Sequence, residues 1–357
     1  MTQPTATRTV SALRWFVPSS SPARHLLGTA LALVTVVLVF ENVSAFRHAQ
    51  LAAMAYYAIA AAGLTVLTGL NGQISLGHGA LMAVGAYTTA LLLRDGALPF
   101  GVAMLAAMVF TALVGVVVGA AAARLKGPYL AGATLALAVG LPGLAVHFDG
   151  LLGGEQGLAV NAPTPTQWFD DAMFFITGTD LGQQKFLAYV AWGTLLLVLL
   201  SLANLAAGRY GRMWRAVRDD EVAAALAGID LGRARVLAFV VSAACAGLAG
   251  SVLAMVVGLT APSGFTIVLS LSLLTAVVVG GLGSLIGAVL GSALLVFLPP
   301  TVTDLGTELG LDAVSAAQLA PLVYGIVLVA AMLAAPSGVA GLGRRVWNRV
   351  RNGRSEG

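Results

Sequence analysis

The chain has 357 residues, of which 59% are hydrophobic and only 10% charged, against about 25% charged in ordinary soluble domains. A soluble fold of this size lacks, on that composition, the polar surface to cover its core, so lipid must be its outer solvent. The net charge of +4 and a pI near 9.5 do not point to nucleic acid, because the basic residues sit in short segments between apolar runs, where they orient helices in a membrane.

A helix needs about 20 apolar residues to cross the hydrocarbon core. After a basic N-terminal segment, 1–25, such runs lie near 26–46, 49–70, 75–93, 98–123, 128–148, 186–206, 236–258, 266–280, 282–299 and 319–335. They predict an all-α, polytopic transmembrane bundle of about ten spans over 26–335, followed by a basic tail at 336–357. The first run, with Val43-Ser44-Ala45 behind it, has some features of a signal peptide. It continues through Glu41 and Asn42, however, and is more simply a first span. The pair 266–280 and 282–299 is short and joined by glycines, which fits a tight hairpin or a re-entrant pair.

Between the second and third spans, residues 69–87 read GLNGQISLGHGALMAVGAY. Asn71, Gln73, Ser75 and His78 are polar groups set between two apolar segments, among glycines that permit close packing and broken helix geometry. Unwound backbone at membrane depth survives only where protein or a water-filled cavity satisfies it. The stretch is therefore either a bend lining a path through the membrane or an ordinary turn at its surface. His78 has no partner at ligand spacing among His25, His48 and His147, so no metal site is expected and a hydrogen-bonded packing histidine is the better reading.

Two polar loops follow. The first, about 149–185, carries Gly153-Gly154, Pro163, Pro165 and Trp168. The second, about 207–235, reads GRYGRMWRAVRDDEVAAALAGIDLGRAR with its flanks. Its segment Arg212–Ala227 has helical composition and Gly228 stands at a natural stop. Met213, Ala216, Val217, Ala224 and Ala227 share a face, and Arg215 with Asp219 has i,i+4 spacing. One amphipathic helix is expected here, either a solvated connector that only sets topology or a docking helix for a partner. Near 280–292, Gly283, Gly287 and Gly291 recur at four-residue steps, a face for tight helix contact.

Charge orients the bundle. With the N-terminus inside, all but three of the 19 basic residues fall on the cytoplasmic side; the exceptions are Arg47, Arg94 and Lys185. The loop at 207–235 is then cytoplasmic, the loop at 149–185 extracytoplasmic, and both termini cytoplasmic. Several chemistries lack their residues. No phosphate-cradling GxxxxGK[ST] exists, since the only lysines, Lys126 and Lys185, do not follow glycine. Cys245 is the single cysteine, so neither an intramolecular disulfide nor a cysteine cluster can form. Glu41 is the sole acid inside a span, which disfavours proton- or ion-coupled transport. Ser75 near His78 has no third group to orient a base, so no catalytic set is expected.

The stretch AVRDDEVAAALAGI at 216–229, continuing through LAFVVSAACAGLAG at 237–250, closely resembles the loop and following helix of bacterial branched-chain amino acid ABC permeases of the LivM type. GQISLGHGA with GAY, GPYLAGATLALA at 127–138, LLGGEQGL at 151–158, GGLG at 280–283 and PSGVAGL at 336–342 extend the likeness from about residue 50 to 342. Ala225 departs from it where many members carry a second acid, and Ser337 where arginine is common. The resemblance implies a permease subunit of an ABC importer in a bacterial inner membrane, without cofactor or ATPase site of its own. Its implied partners are two cytoplasmic ATP-binding subunits, a second related permease and an extracytoplasmic solute-binding protein. Arg215, Arg218, Glu221, Ala224 and Gly228 are then expected to couple to the ATPase, and Asn71, Gln73, Ser75 and His78 to line the translocation path. The expected solutes are branched-chain amino acids, or related small solutes such as urea or amides. The rival readings are a stand-alone secondary transporter or channel and, more remotely, a membrane-embedded enzyme.

Overall fold

The computed structural model describes residues 21–334 apart from Asp95, Ala97, Lys126 and Gly127, together with Gly338 and Gly341. The basic tail and most of the N-terminal segment expected from the sequence lie outside the described residues. The chain forms helices α1 (Ser21–Glu41), α2 (Ala45–Leu64, prolonged by a π-turn at Thr65–Leu70), α3 (His78–Leu93), α4 (Phe100–Ala122) and α5 (Pro128–His147). A polar excursion follows, then α6 (Gln167–Thr177), α7 (Gln183–Ala207), α8 (Arg209–Asp219), α9 (Glu221–Leu226) and α10 (Leu231–Val257). The last helices are α11 (Ile267–Gly280), α12 (Leu285–Glu308) and α13 (Ala313–Ala334).

Each of the ten apolar runs falls on a helix. Eight helices are long and apolar enough to cross a membrane, while α3 and α13 contribute shorter apolar stretches. The chain is thus a polytopic, membrane-type helical bundle. One boundary moves well beyond its predicted place: α12 runs through Pro299 and Pro300 to Glu308, because interior proline is tolerated where neighbouring helices support the freed backbone.

The centre of the bundle is α10, packed against α3, α4 and α2. Small residues set how near these helices come. A Cβ at Gly250 would lie 1.9 Å from the Met82 carbonyl oxygen, and one at Gly85 would lie 2.3 Å from that of Gly247. The hydroxyls of Thr89 and Ser251 meet at 2.7 Å across the same seam. Lipid tails supply no hydrophobic driving force between helices, so such dense backbone contact and buried hydrogen bonds hold the bundle. Glycines do the same at the α11–α12 hairpin, where Gly287 and Gly291 lie against the backbone of Gly280 and Ala276. Gly283, expected on their face, belongs instead to the turn before α12, with φ +80°, and lies against Gly69.

At one end of the bundle, α1 is pinned to α7. Glu41 forms an ion pair with Lys185 at 2.7 Å and also accepts from Thr179 and Tyr189. The excursion between α5 and α7 is more ordered than a polar loop. Leu158–Ala159 (β1) pairs antiparallel with Leu259–Thr260 (β2), and Asn161 donates to the carbonyl of Arg94 at 2.8 Å, tying the excursion to the ends of α3 and α10. The opposite end carries α8 and α9. There the ends of α2, α4, α7 and α10 meet in the contacts described next.

Candidate functional site

Between α2 and α3 the chain is broken inside the bundle. The π-turn Thr65–Leu70 ends α2, Gly72 takes a left-handed φ of +79°, and the chain runs extended to the start of α3 at His78. Two contacts gauge its depth. His78 Nε2 hydrogen-bonds the carbonyl of Ala60 at 2.9 Å, and the backbone N–H of Gly79 donates to Ser270 Oγ at 3.0 Å. Ala60 precedes the end of α2's extension by ten residues, and Ser270 likewise precedes the end of α11, roughly 15 Å along a helix in both cases. Residues 71–77 therefore fold back into the bundle. This explains why α3 is only 16 residues long: extended chain takes the place of its first turns.

Extended backbone at this depth needs partners. Thr134 of α5 accepts from the N–H of Leu76 at 3.0 Å. The N–H of Gln73 donates to Leu67, and Thr68 Oγ1 donates to the Gln73 carbonyl. Asn71, Gln73, Ser75 and His78 are all buried. Both side-chain polar atoms of Asn71, together with Gln73 Oε1 and His78 Nδ1, have no hydrogen-bond partner among the described residues. Buried polar atoms are almost always paired, so this concentration along one extended segment marks a polar seam. His78 acts as the expected packing histidine, and no His, Cys, Asp or Glu cluster among the described residues could hold a metal.

The inner loop departs from a single helix. Asp220 leaves helical geometry (φ −157°, ψ 109°), and its Oδ1 accepts from the N–H groups of Val222 and Ala223 at 2.9 and 3.0 Å. Its carboxylate thus ends α8 and caps α9, as N-cap aspartates do. The expected Arg215–Asp219 pair is not formed. Arg215 donates to the Ala206 carbonyl at the end of α7 at 3.1 Å, and Asp219 pairs with its neighbour Arg218 at 2.7 Å. Of the expected apolar face, Val217 and Ala224 are buried while Ala227 is exposed. The anchor of α8 is Trp214, 1% exposed, whose indole N–H donates to the Ala234 carbonyl at 3.0 Å. Gly228 closes α9 with φ +84° in open space. The outer side of α9 presents Val222 and Leu226, the latter 86% exposed.

These two regions are joined. Arg218 Nη1 donates to the carbonyl of Gly69 at 2.8 Å, and its stem packs on Gly72. Glu221 pairs with Arg235, a residue on the first turns of α10 whose backbone carbonyl accepts from Gln73 Nε2 at 3.4 Å. Arg235 also donates to Ala123 at the end of α4. Sequence reasoning named Arg218, Glu221 and Gln73 but missed Arg235, Trp214, Thr134 and Ser270. Of these, Arg235 alone left a signal, as a cation at the very start of an apolar run. Ala224 and Gly228 shape α9 without touching the broken segment, and among the described residues Ser75 meets only the N–H of Gly77.

Residues 48–332 match the family described as branched-chain amino acid transport system / permease component. The high-affinity branched-chain amino acid transport system permease protein LivM of Escherichia coli is 32% identical over 317 residues, covering 84% of this chain and 71% of the relative. LivM of Salmonella typhimurium is 30% identical over 344 residues, covering 92% and 77%. The permease protein LivH of E. coli is 28% identical over 251 residues, covering 67% and 79%.

Proposed function

The chain belongs to the permease family of branched-chain amino acid transport systems, and from that premise we propose that α8 and α9 are the lever by which partner ATPases move a polar seam at residues 71–78. The chain is a permease subunit of an ABC importer. Its bacterial inner-membrane setting, its ten crossings and its cytoplasmic termini belong to the proposal, supported by the distribution of arginines and by the way alternate helix ends gather around α8 and α9.

The observation that carries the reading is the pair of links from this short helical elbow into the broken segment: Arg218 to Gly69, and Glu221 through Arg235 to Gln73. A partner that grips the exposed Val222 and Leu226 of α9 pulls on both. Arg215 fixes the elbow to α7, Ala224 seats it on the bundle, and Gly228 supplies the left-handed residue that returns the chain to α10. Helix breaks with unpaired polar groups are where substrate sites form in other membrane transporters. Asn71, Gln73, Ser75 and His78 are accordingly the proposed lining of the path, with branched-chain aliphatic amino acids as its cargo.

The implied assembly has two ATP-binding subunits below, a second permease alongside and a solute-binding protein outside. ATP chemistry belongs to the partners, and this chain supplies a path and a lever. The test is Leu226→Asp, a change on an exposed side chain that the fold does not use. Co-expressed with its ATPase subunits and extracted in mild detergent, the wild-type chain retains them and the variant loses them together with ATP-driven leucine uptake in vesicles. Equal retention in both would overturn the docking assignment.

A further inference from the structure

Beside the elbow, and not used by it, a groove of about 610 Å³ opens between the ends of α4 and α10. Its floor is apolar, formed by Ala120, Val236 and Leu237, and its rim carries Arg124, Arg233 and Asp230. Arg124 is exposed and has no acidic partner among the described residues. The Arg233 side chain is 86% exposed, and Asp230 engages its backbone N–H and its Nε at 3.0 and 3.1 Å. Both terminal amino groups of Arg233 are left without a partner among the described residues. Asp230 offsets one of the two positive charges, and the other remains. Upward from the floor, the exposed side chains of Leu113, Val116 and Val117 continue the same face of α4.

We propose that this groove binds an anionic phospholipid, its phosphate held by Arg124 and Arg233 and one acyl chain laid along α4. The charge complements a phosphate, for which arginine offers paired donors. The apolar floor would stay wet beneath a soluble anion, so a tail is part of the ligand. Basic pockets between transmembrane helices at a membrane surface are known hosts for such headgroups. The inference rests on the reading that α4 and α10 span the bilayer with these ends at one surface, but it does not depend on transport.

The experiment is native mass spectrometry of the full chain in mild detergent, with added phosphatidylglycerol or phosphatidylcholine. Wild type should retain phosphatidylglycerol preferentially. Arg124→Gln should lower that retention about fivefold, as expected for one basic residue near a lipid surface, while Arg124→Lys should preserve most of it. Arg233→Gln, also at an exposed residue, reads the same contact should the first variant fold poorly. Soluble glycerol phosphate at matched concentration should not compete. Equal retention of both lipids, indifference to both arginines, or competition by glycerol phosphate would overturn the proposal. So would loss of the adduct when ATPase subunits bind, since the groove would then be a protein contact. An assembled complex, with its ATPase subunits, that retains the lipid yet moves no solute in vesicles would refute the transport reading alone.

Discussion

Arg218 and Gly69 are 149 residues apart in the chain and joined by a hydrogen bond of 2.8 Å. The same guanidinium holds Asp219 through Nε and Nη2, so one planar group connects the end of α8 to the carbonyl where α2 gives way to the broken segment. A lysine cannot replace it, because an ammonium is a point donor without the fork. The link ties the end of α8 directly to the start of the broken segment through one side chain.

Arg218→Ala should therefore separate coupling from folding. The guanidinium is partly exposed, so its loss leaves the bundle intact and the melting temperature in detergent within a few degrees of wild type. Uptake into vesicles should fall about tenfold or more, the cost expected for one charge-assisted hydrogen bond, while basal ATP hydrolysis by the assembled complex persists. Arg218→Lys should behave nearly as badly as alanine. Unchanged uptake in both variants would remove Arg218 from the lever.

Glu221 and Arg235 call for a double-mutant cycle. Arg235 is 9% exposed and Glu221 44%, so the buried cation suffers most when the pair is broken. Glu221→Gln should destabilise by about 1–2 kcal/mol, reduced from the full cost of breaking a buried pair because the carboxylate is half in solvent. Arg235→Met should do less harm than Arg235→Ala, since methionine fills the space without leaving a charge. A coupling energy near zero in thermal melts of Glu221→Gln, Arg235→Met and the combined variant would show the pair to be incidental.

The sequence made the apolar helices legible because each carries its own hydropathy signal. What it hid were features that depend on two distant segments. The depth of residues 71–77 is set by His78 on Ala60 and Gly79 on Ser270, and no local pattern distinguishes a surface turn from a segment folded back beside its own helix. The break at Asp220 went unread for a different reason: alanines on one side and arginines on the other both favour helix, and only the capping geometry reveals the stop. Trp214 lies beside the apolar face read from the sequence rather than on it, and its role shows only with the carbonyl of Ala234 in place.

Close approach along α10 gives a packing prediction. At Gly250 an added Cβ would sit 1.9 Å from the Met82 carbonyl, a contact that backbone must move to relieve. Gly250→Val should cost more than about 3 kcal/mol and yield aggregated protein on gel filtration. Gly140 of α5 has nothing within 4 Å of an added Cβ. Gly140→Ala should melt within about 1 kcal/mol of wild type, on the side of greater stability, since alanine is the better helix former. Similar behaviour of the two variants would refute backbone contact between α3 and α10.

The Glu41–Lys185 pair tests what holds α1. Lys185→Met leaves Glu41, among the described residues, with the hydroxyls of Thr179 and Tyr189 and should destabilise by about 2–4 kcal/mol. The double variant Glu41→Leu with Lys185→Met removes both charges and should recover most of that loss, because buried pairs replaced by apolar side chains are often neutral. A double variant no better than the single would mean that the pair, and not merely the absence of a lone charge, anchors the helix.

Asn71 offers the sharpest separation of path from scaffold. Its side chain is buried, and neither polar atom finds a partner among the described residues, which costs about 1–3 kcal/mol for a group so placed. Leucine has nearly the same shape and nothing to satisfy. If Asn71 exists only to pack, Asn71→Leu should raise stability and leave uptake alone. If the seam carries solute, the same substitution should raise the melting temperature while uptake of leucine collapses, and Asn71→Ser should restore part of it. Stability and transport moving in opposite directions is an outcome that a structural role does not produce, and vesicle uptake measured beside a thermal melt of the same preparation reads both.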